Sequence, residues 1–171
     1  GGLPQARLNR TQKWVDPYKV EDVLAMAGNE TNLAIAIDSK LTGSNLTVDT
    51  KVVYANGSEA GDKIVVYLVE SGIIHAQANY FNNTSNHPLE NHGNPIPDFV
   101  HNDALRNSLS DIFGDAIANT SPYTEFKKQY SLEISADYNV DNLEIVVMVV
   151  NANNEAKNSQ FSKVGENKRY E

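Results

Sequence analysis

Cysteine is absent from this 171-residue chain, which removes disulfides, thiolate metal sites and cysteine nucleophiles in one step. The compartment stays open, because many bacterial domains outside the cytoplasm do without disulfides. Basic residues are scarce as well: 14 Lys and Arg stand against 22 Asp and Glu, a formal net charge of -8. Phosphate backbones need clustered Lys and Arg, so nucleic acid is excluded as a partner. The acidity itself bears on solubility rather than on function. No apolar run approaches the roughly 20 residues of a membrane-crossing helix, and no charged, apolar and small-residue leader opens the chain. Missing too are the local signatures of catalysis: no Gly-x-Ser-x-Gly, no His-Glu-x-x-His and no phosphate-binding loop.

What is present is length and apolar content, 40% of residues, sufficient for one well-packed domain with a short appendage. The appendage is residues 1–28. Gly1-Gly2-Leu3-Pro4 reads as the middle of something longer, with any export or anchoring signal upstream. A short strand covers Gln5 to Asn9, and a helix is expected from Pro17, capped by Asp16 and closed by Gly28-Asn29, with Val20, Val23, Leu24 and Ala27 on its apolar face.

From Thr31 the period becomes two, and residues 29–171 read as a β-domain. Leu33, Ile35 and Ile37 form one face of a strand; Leu46, Val48, Thr50 and Val52 form the next, followed by a turn at Asn56-Gly57-Ser58. Ile64 to Val69 and Leu143 to Val150 are apolar on both faces, as central strands are. Gly72 separates the first of these from a further strand, Ile73 to Ala78. Phe126, Tyr130, Leu132, Ile134 and Ala136 alternate with polar neighbours, and a weak strand closes the chain at Gln160 to Val164. Roughly seven strands with Asn- and Gly-rich turns predict a mainly β fold, an antiparallel sandwich of immunoglobulin-like type. The long insertion in its middle begins with a surface loop from Phe81 to Pro97. It continues with Val100, Ala104, Leu105, Leu109, Ile112 and Phe113 at three- and four-residue spacing, which predicts a helix over His101–Leu109, laid on the sandwich. Long insertions on rigid scaffolds commonly carry the binding surface.

The chemistry-bearing residues gather there. His75, His87, His92 and His101 are the four histidines, but their spacing lacks a metal-site pattern, so packing and loop roles are expected and no metal or cofactor. Asp137, Asn139 and Asp141 imitate half a calcium loop; Asn142 replaces its glycine and Met148 its final glutamate, which favours a plain turn. Glu70, His101, Asp103 and Arg106 would be the groups for acid–base work. Glu70 follows a buried strand, however, and pairing with Arg106 as a structural ion pair is the preferred reading. No catalytic residue is assigned.

Three segments carry a resemblance: VYLVESGIIHAQ (66–77), FVHNDALRNSLSDIFGD (99–115) and KKQYSLEISADYNVDNLEIVVMVV (127–150). Together they resemble the twenty-eight-kilodalton outer membrane protein family of Bacteroidetes, over about Asn32 to Val164. The matching positions are Val69-Glu70 and Gln77, then Phe99, Val100, His101, Asn102, Leu105 and Arg106. Asp137-Tyr138-Asn139 stands where the family tends to have Asp-Trp-Asn. The resemblance implies an exported lipoprotein at the outer membrane or cell surface, with adhesion, receptor or assembly roles and no catalytic residues to transfer. It also implies that residues 1–28 are the tail of a thioredoxin-like domain, with Pro4 at the place of its cis-proline. The expected function is thus a non-enzymatic binding or structural module for an unknown protein or surface ligand, attached to the membrane only through an upstream lipid anchor. The alternative is an accessory domain that positions a substrate for a thioredoxin-like oxidoreductase. His87, His92, His101, Asn102 and Arg106 are the candidate binding residues; Glu70, Gln77 and Asp137 are candidate structural ones.

Overall fold

Alternating apolar residues build both sheets of the fold. The computed structural model describes residues 5–27 and 30–171. A hairpin of β1 (Ala6–Leu8) and β2 (Gln12–Trp14) and a short helix α1 (Val20–Leu24) precede β3 (Leu33–Thr42) and β4 (Asn45–Tyr54). Next come β5 (Lys63–Glu70), β6 (Ile73–Ile74), β7 (Val100–His101), β8 (Ala104–Ser108) and β9 (Asp115–Ala116). The chain ends with β10 (Glu125–Glu133), β11 (Leu143–Val150), β12 (Ala156–Lys163) and β13 (Asn167–Lys168).

Two antiparallel sheets form, one ordered β10-β4-β3-β13 and the other β12-β11-β5-β8, with β9 pairing on β5. Leu33, Ile35 and Ile37 on β3 and Leu46, Val48, Val52 and Tyr54 on β4 share one buried cluster with Ile64, Val66 and Leu68 on β5 and Leu143, Ile145, Val147 and Val149 on β11. Every second residue of each strand points into that cluster, so the two sheets are the layers of the expected sandwich. Two polar side chains on the inner faces bond to backbone groups. The Thr50 hydroxyl donates to the Lys128 carbonyl at 2.8 Å, and Ser39 Oγ accepts from Gly165 N at 3.0 Å.

The two-faced apolarity of β5 has a tertiary cause. Arg10, in the turn after β1, donates to Met148 Sδ at 3.8 Å and lies 6.0 Å from the Tyr67 ring centroid. Both residues face away from the core, so the N-terminal hairpin lies against the outside of the second sheet. The helix beyond it begins at Val20 rather than Pro17, with Lys19 at the cap position and no side-chain cap. Val20, Val23 and Leu24, the expected apolar face, are exposed. Pro4 and the Gly28-Asn29 closure lie outside the described residues.

The expected helix over His101–Leu109 is corrected to two strands, β7 and β8. Between them Asp103 takes a φ of +53°, turning a corner that no helix accommodates. The residues that suggested a helical face are largely exposed: Val100, Leu105, Ile112 and Phe113 all face solvent. β8 forms instead because the edge of β5 offers unpaired backbone groups, which it meets at Tyr67↔Ser108 and Glu70↔Ala104 across a bulge. The expected strand Ile73 to Ala78 shortens to Ile73–Ile74, with one further bridge, Gln77↔Ile96.

Asp115 on β9 clasps the two sheets together. Its Oδ2 accepts from the Lys128 ammonium at 2.9 Å and the Tyr130 hydroxyl at 3.0 Å, both on β10. Burial pushes the Asp115 carboxyl upward, but hydrogen bonds from Lys128, the Asp111 amide and Tyr130 outweigh it and hold the group below its ordinary 3.8. A depressed carboxyl stabilises the fold above its unfolded value, and that stability is lost as pH falls through the folded value. Asp115→Asn is therefore expected to lower stability by on the order of 1 kcal/mol at pH 7. The gap to the wild type should close on acidification below about pH 4, measured by urea unfolding across pH. A gap that stays constant down to acid pH would assign the effect to packing instead.

Candidate interaction site

The last inward-facing position of β5 is Glu70, and it carries a carboxylate where its predecessors carry Ile64, Val66 and Leu68. It is 5% exposed. Arg106 on β8 places Nε 3.2 Å from Glu70 Oε2, away from the N–H direction, so the contact is an ion pair without an aligned hydrogen bond. The other oxygen, Oε1, accepts from Asn139 N at 2.9 Å. The Arg106 guanidinium lies 4.2 Å from the Tyr138 ring centroid, and the Tyr138 hydroxyl donates back to the Arg106 carbonyl at 3.4 Å. Three segments distant in sequence are thereby joined at one end of the sandwich. The pairing expected from sequence is present, fastening a strand where a helix was anticipated. Asp137 lies beside this network rather than in it, with its amide donating to Ser135 Oγ at 3.3 Å. Asn139 accepts from Asp141 N at 3.2 Å and starts the 3-10 turn Val140–Asn142. The Asp137–Asp141 segment is thus a turn held by its own side chains.

Beyond Glu70 the chain leaves the sandwich as a ribbon, β6 against β7, that carries a folded loop. Asn102 and Asp103 pin its root: Asn102 Oδ1 accepts from Gly72 N at 3.0 Å, and Asp103 N donates to Ser71 Oγ at 3.0 Å. His101 sets Nε2 3.3 Å from the His75 carbonyl and its ring edge-on to Phe99. Gln77 pairs its backbone with Ile96. At the loop tip, His87 stacks on Phe81 with ring centroids 4.0 Å apart and accepts from Leu89 N at Nδ1. His92 is exposed. The candidate binding residues therefore fall into separate places: His87 and His92 in the loop, His101 and Asn102 at the ribbon's root, Arg106 on the sandwich. Among the described residues no three His, Asp or Glu side chains gather as a metal site.

Sequence reasoning missed the residue that organises the loop, Asn79. It is 2% exposed and bonds through its backbone N–H, both amide N–H groups and its amide oxygen. Its N donates to Asn94 Oδ1, its Nδ2 to the Leu89 and Gly93 carbonyls at 2.9 Å each, and its Oδ1 accepts from Phe81 N. Nothing in an Asn-rich segment distinguishes this asparagine from its neighbours. Around it, apolar side chains face solvent: Ile74 and Val100, opposite one another on the ribbon, and Tyr80 and Phe81 beside a hollow.

The family model described as outer membrane protein Omp28 matches residues 1–168. Among solved structures, the crystal structure of a domain of the outer membrane lipoprotein Omp28 from Porphyromonas gingivalis is similar at 15% identity and a TM-score of 0.49, covering 80% of this chain and 91% of that one. No curated protein matches. The family's location is the outer membrane or cell surface, outside the cytoplasm. Because the match takes in the N-terminal hairpin, the sandwich and the ribbon alike, this chain belongs to the Omp28 outer membrane protein family.

Proposed function

We propose that the chain is a non-enzymatic binding or assembly module of a surface lipoprotein, presenting the 71–103 excursion to a partner. The observation that carries this reading is the construction of the excursion. It is ordered by its own hydrogen bonds around Asn79, contributes no residue to the main core cluster, and leaves Ile74, Tyr80 and Val100 in solvent. The groups that could have served acid–base chemistry are otherwise engaged: Glu70 and Arg106 with one another, the Asp103 carboxylate with the Ser71 hydroxyl, and His101 with the His75 carbonyl. Replacing residues 75–99 with a short Asn-Gly turn should keep cooperative unfolding and shift the thermal midpoint little, since the sandwich core is untouched. The same variant should lose binding to outer membrane vesicles of the producing organism, followed by co-sedimentation. Loss of cooperative folding would make the excursion part of the scaffold, and undiminished vesicle binding would place the contact elsewhere.

A further inference from the structure

We infer that the hollow beside Tyr80 is a subsite for a neutral saccharide, an inference that rests on the binding-module reading above. Tyr80 is 80% exposed, yet the backbone on both sides of it is fixed, because Asn79 N and Phe81 N are both held in the Asn79 hydrogen-bond network. Phe81, half-exposed, has its ring plane fixed by the parallel stack on His87. The loop beneath both rings is thus ordered before binding, and the Phe81 ring with it. Beside them lies a hollow of about 430 Å³, lined also by Leu89, Phe99 and Gln77. That volume falls within the roughly 300–1,000 Å³ of small-molecule sites. Gln77 spends its Nε2 on the Ala78 carbonyl and keeps its amide oxygen as an acceptor.

Charge selects the class of ligand. From Ser71 through Leu105 there is no Lys or Arg, although the chain has 14. The ionised groups in that span are the carboxylates of Glu90, Asp98 and Asp103. Among those side chains a phosphate, sulfate, uronate or anionic lipid headgroup would meet three carboxylates and no Lys or Arg. A sugar ring offers what the hollow accepts: a C–H face to lie on an aromatic ring, and a hydroxyl to donate to the Gln77 amide oxygen. A protein partner of ordinary stability would need about 800 Å² of contact on this side, a broad patch rather than a hollow.

The test is an amide NMR titration of the whole chain with neutral hexasaccharides of α-glucan, β-glucan, mannan, galactan and xylan, with hexagalacturonate as the acidic control. At least one neutral hexamer should move the amide signals of residues 77–81 and 87–99, and the acidic one should not. Tyr80→Ala and Phe81→Ala should each weaken that binding roughly tenfold while leaving the thermal midpoint unchanged. No response to any neutral hexamer at millimolar concentration, equal binding of hexagalacturonate, or undiminished affinity in both variants would overturn the inference. Vesicle binding separates its failure from that of the module reading. If replacing residues 75–99 abolishes vesicle binding, and binding survives periodate oxidation of vesicle glycans but not protease treatment, the partner is a protein: the module stands and the saccharide fails.

Discussion

Replacing Lys157 with methionine is expected to lower stability by about 3–5 kcal/mol, seen as a fall of roughly 10–15 °C in thermal midpoint. The cause is Asp62, which lies just before β5 and is 1% exposed. Lys157 on β12 brings its ammonium to 3.2 and 3.1 Å of the two carboxylate oxygens, and the Glu59 amide donates to one of them at 3.1 Å. The buried Tyr54 hydroxyl faces the same carboxylate without closing a hydrogen bond. Burial first, and then the Asp62 charge, push the Tyr54 phenol far above its ordinary range, so it stays neutral and adds no second negative charge beside Asp62. Without Lys157 the carboxylate keeps one N–H partner and loses the cation that also pairs Glu59 at 3.3 Å. Methionine preserves the apolar stem, so the loss reads the charge rather than the packing. Adding Asp62→Asn to Lys157→Met should recover most of it, because a neutral pair leaves no buried charge uncompensated. Urea unfolding of the wild type and the two variants is the measurement. A Lys157→Met protein within 1 kcal/mol of wild type would mean that the carboxylate is not relying on this ammonium.

At the other end of β5, Arg106→Ala is expected to cost about 3 kcal/mol, and more than Glu70→Gln, at roughly 1–2 kcal/mol. The two partners differ in burial: the Glu70 side chain is 7% exposed and that of Arg106 27%. Removing arginine strands a carboxylate in the interior with only Asn139 N to bond it. Removing the negative charge instead leaves a guanidinium that turns to water and keeps its stack on Tyr138. Arg106→Lys should not restore stability, because an ammonium cannot lie as a plane over the tyrosine ring. Equal losses for the two single variants, by urea unfolding, would show that the pair is hydrated and of little weight.

Much of the architecture was open to reading because a strand's face pattern is a local property. Leu143–Val150 was expected as a two-faced strand and folds as β11 over those same residues. The Glu70–Arg106 pair was also readable, since a carboxylate ending a buried strand must find a cation or pay heavily for its burial. The 100–113 stretch was not readable in the same way. Its three- and four-residue spacing imitates a helix because the corner at Asp103 and the bulge opposite Leu68/Val69 each reset the two-residue alternation. Periodicity cannot see such resets, because they depend on the strand across the sheet. The exposed apolar face of α1 was misjudged for the same reason: amphipathic spacing predicts a buried face only if something lies over it.

The amino-acid order alone determined the class of fold, the positions of the long strands, the exclusion of cysteine chemistry and the family to which the chain belongs. The fold class and the strands follow from composition and from repeats of two residues, and the family from the resemblance carried by segments 66–77, 99–115 and 127–150; none of these needs knowledge of partners. Tertiary structure decided which edge of β5 is covered, which asparagine becomes the hub of the loop, and where Tyr80 and Phe81 stand relative to the hollow. Those are pairings between residues far apart in sequence. They are selected by the need to satisfy buried backbone and amide groups, a condition that exists only once the sheets have packed.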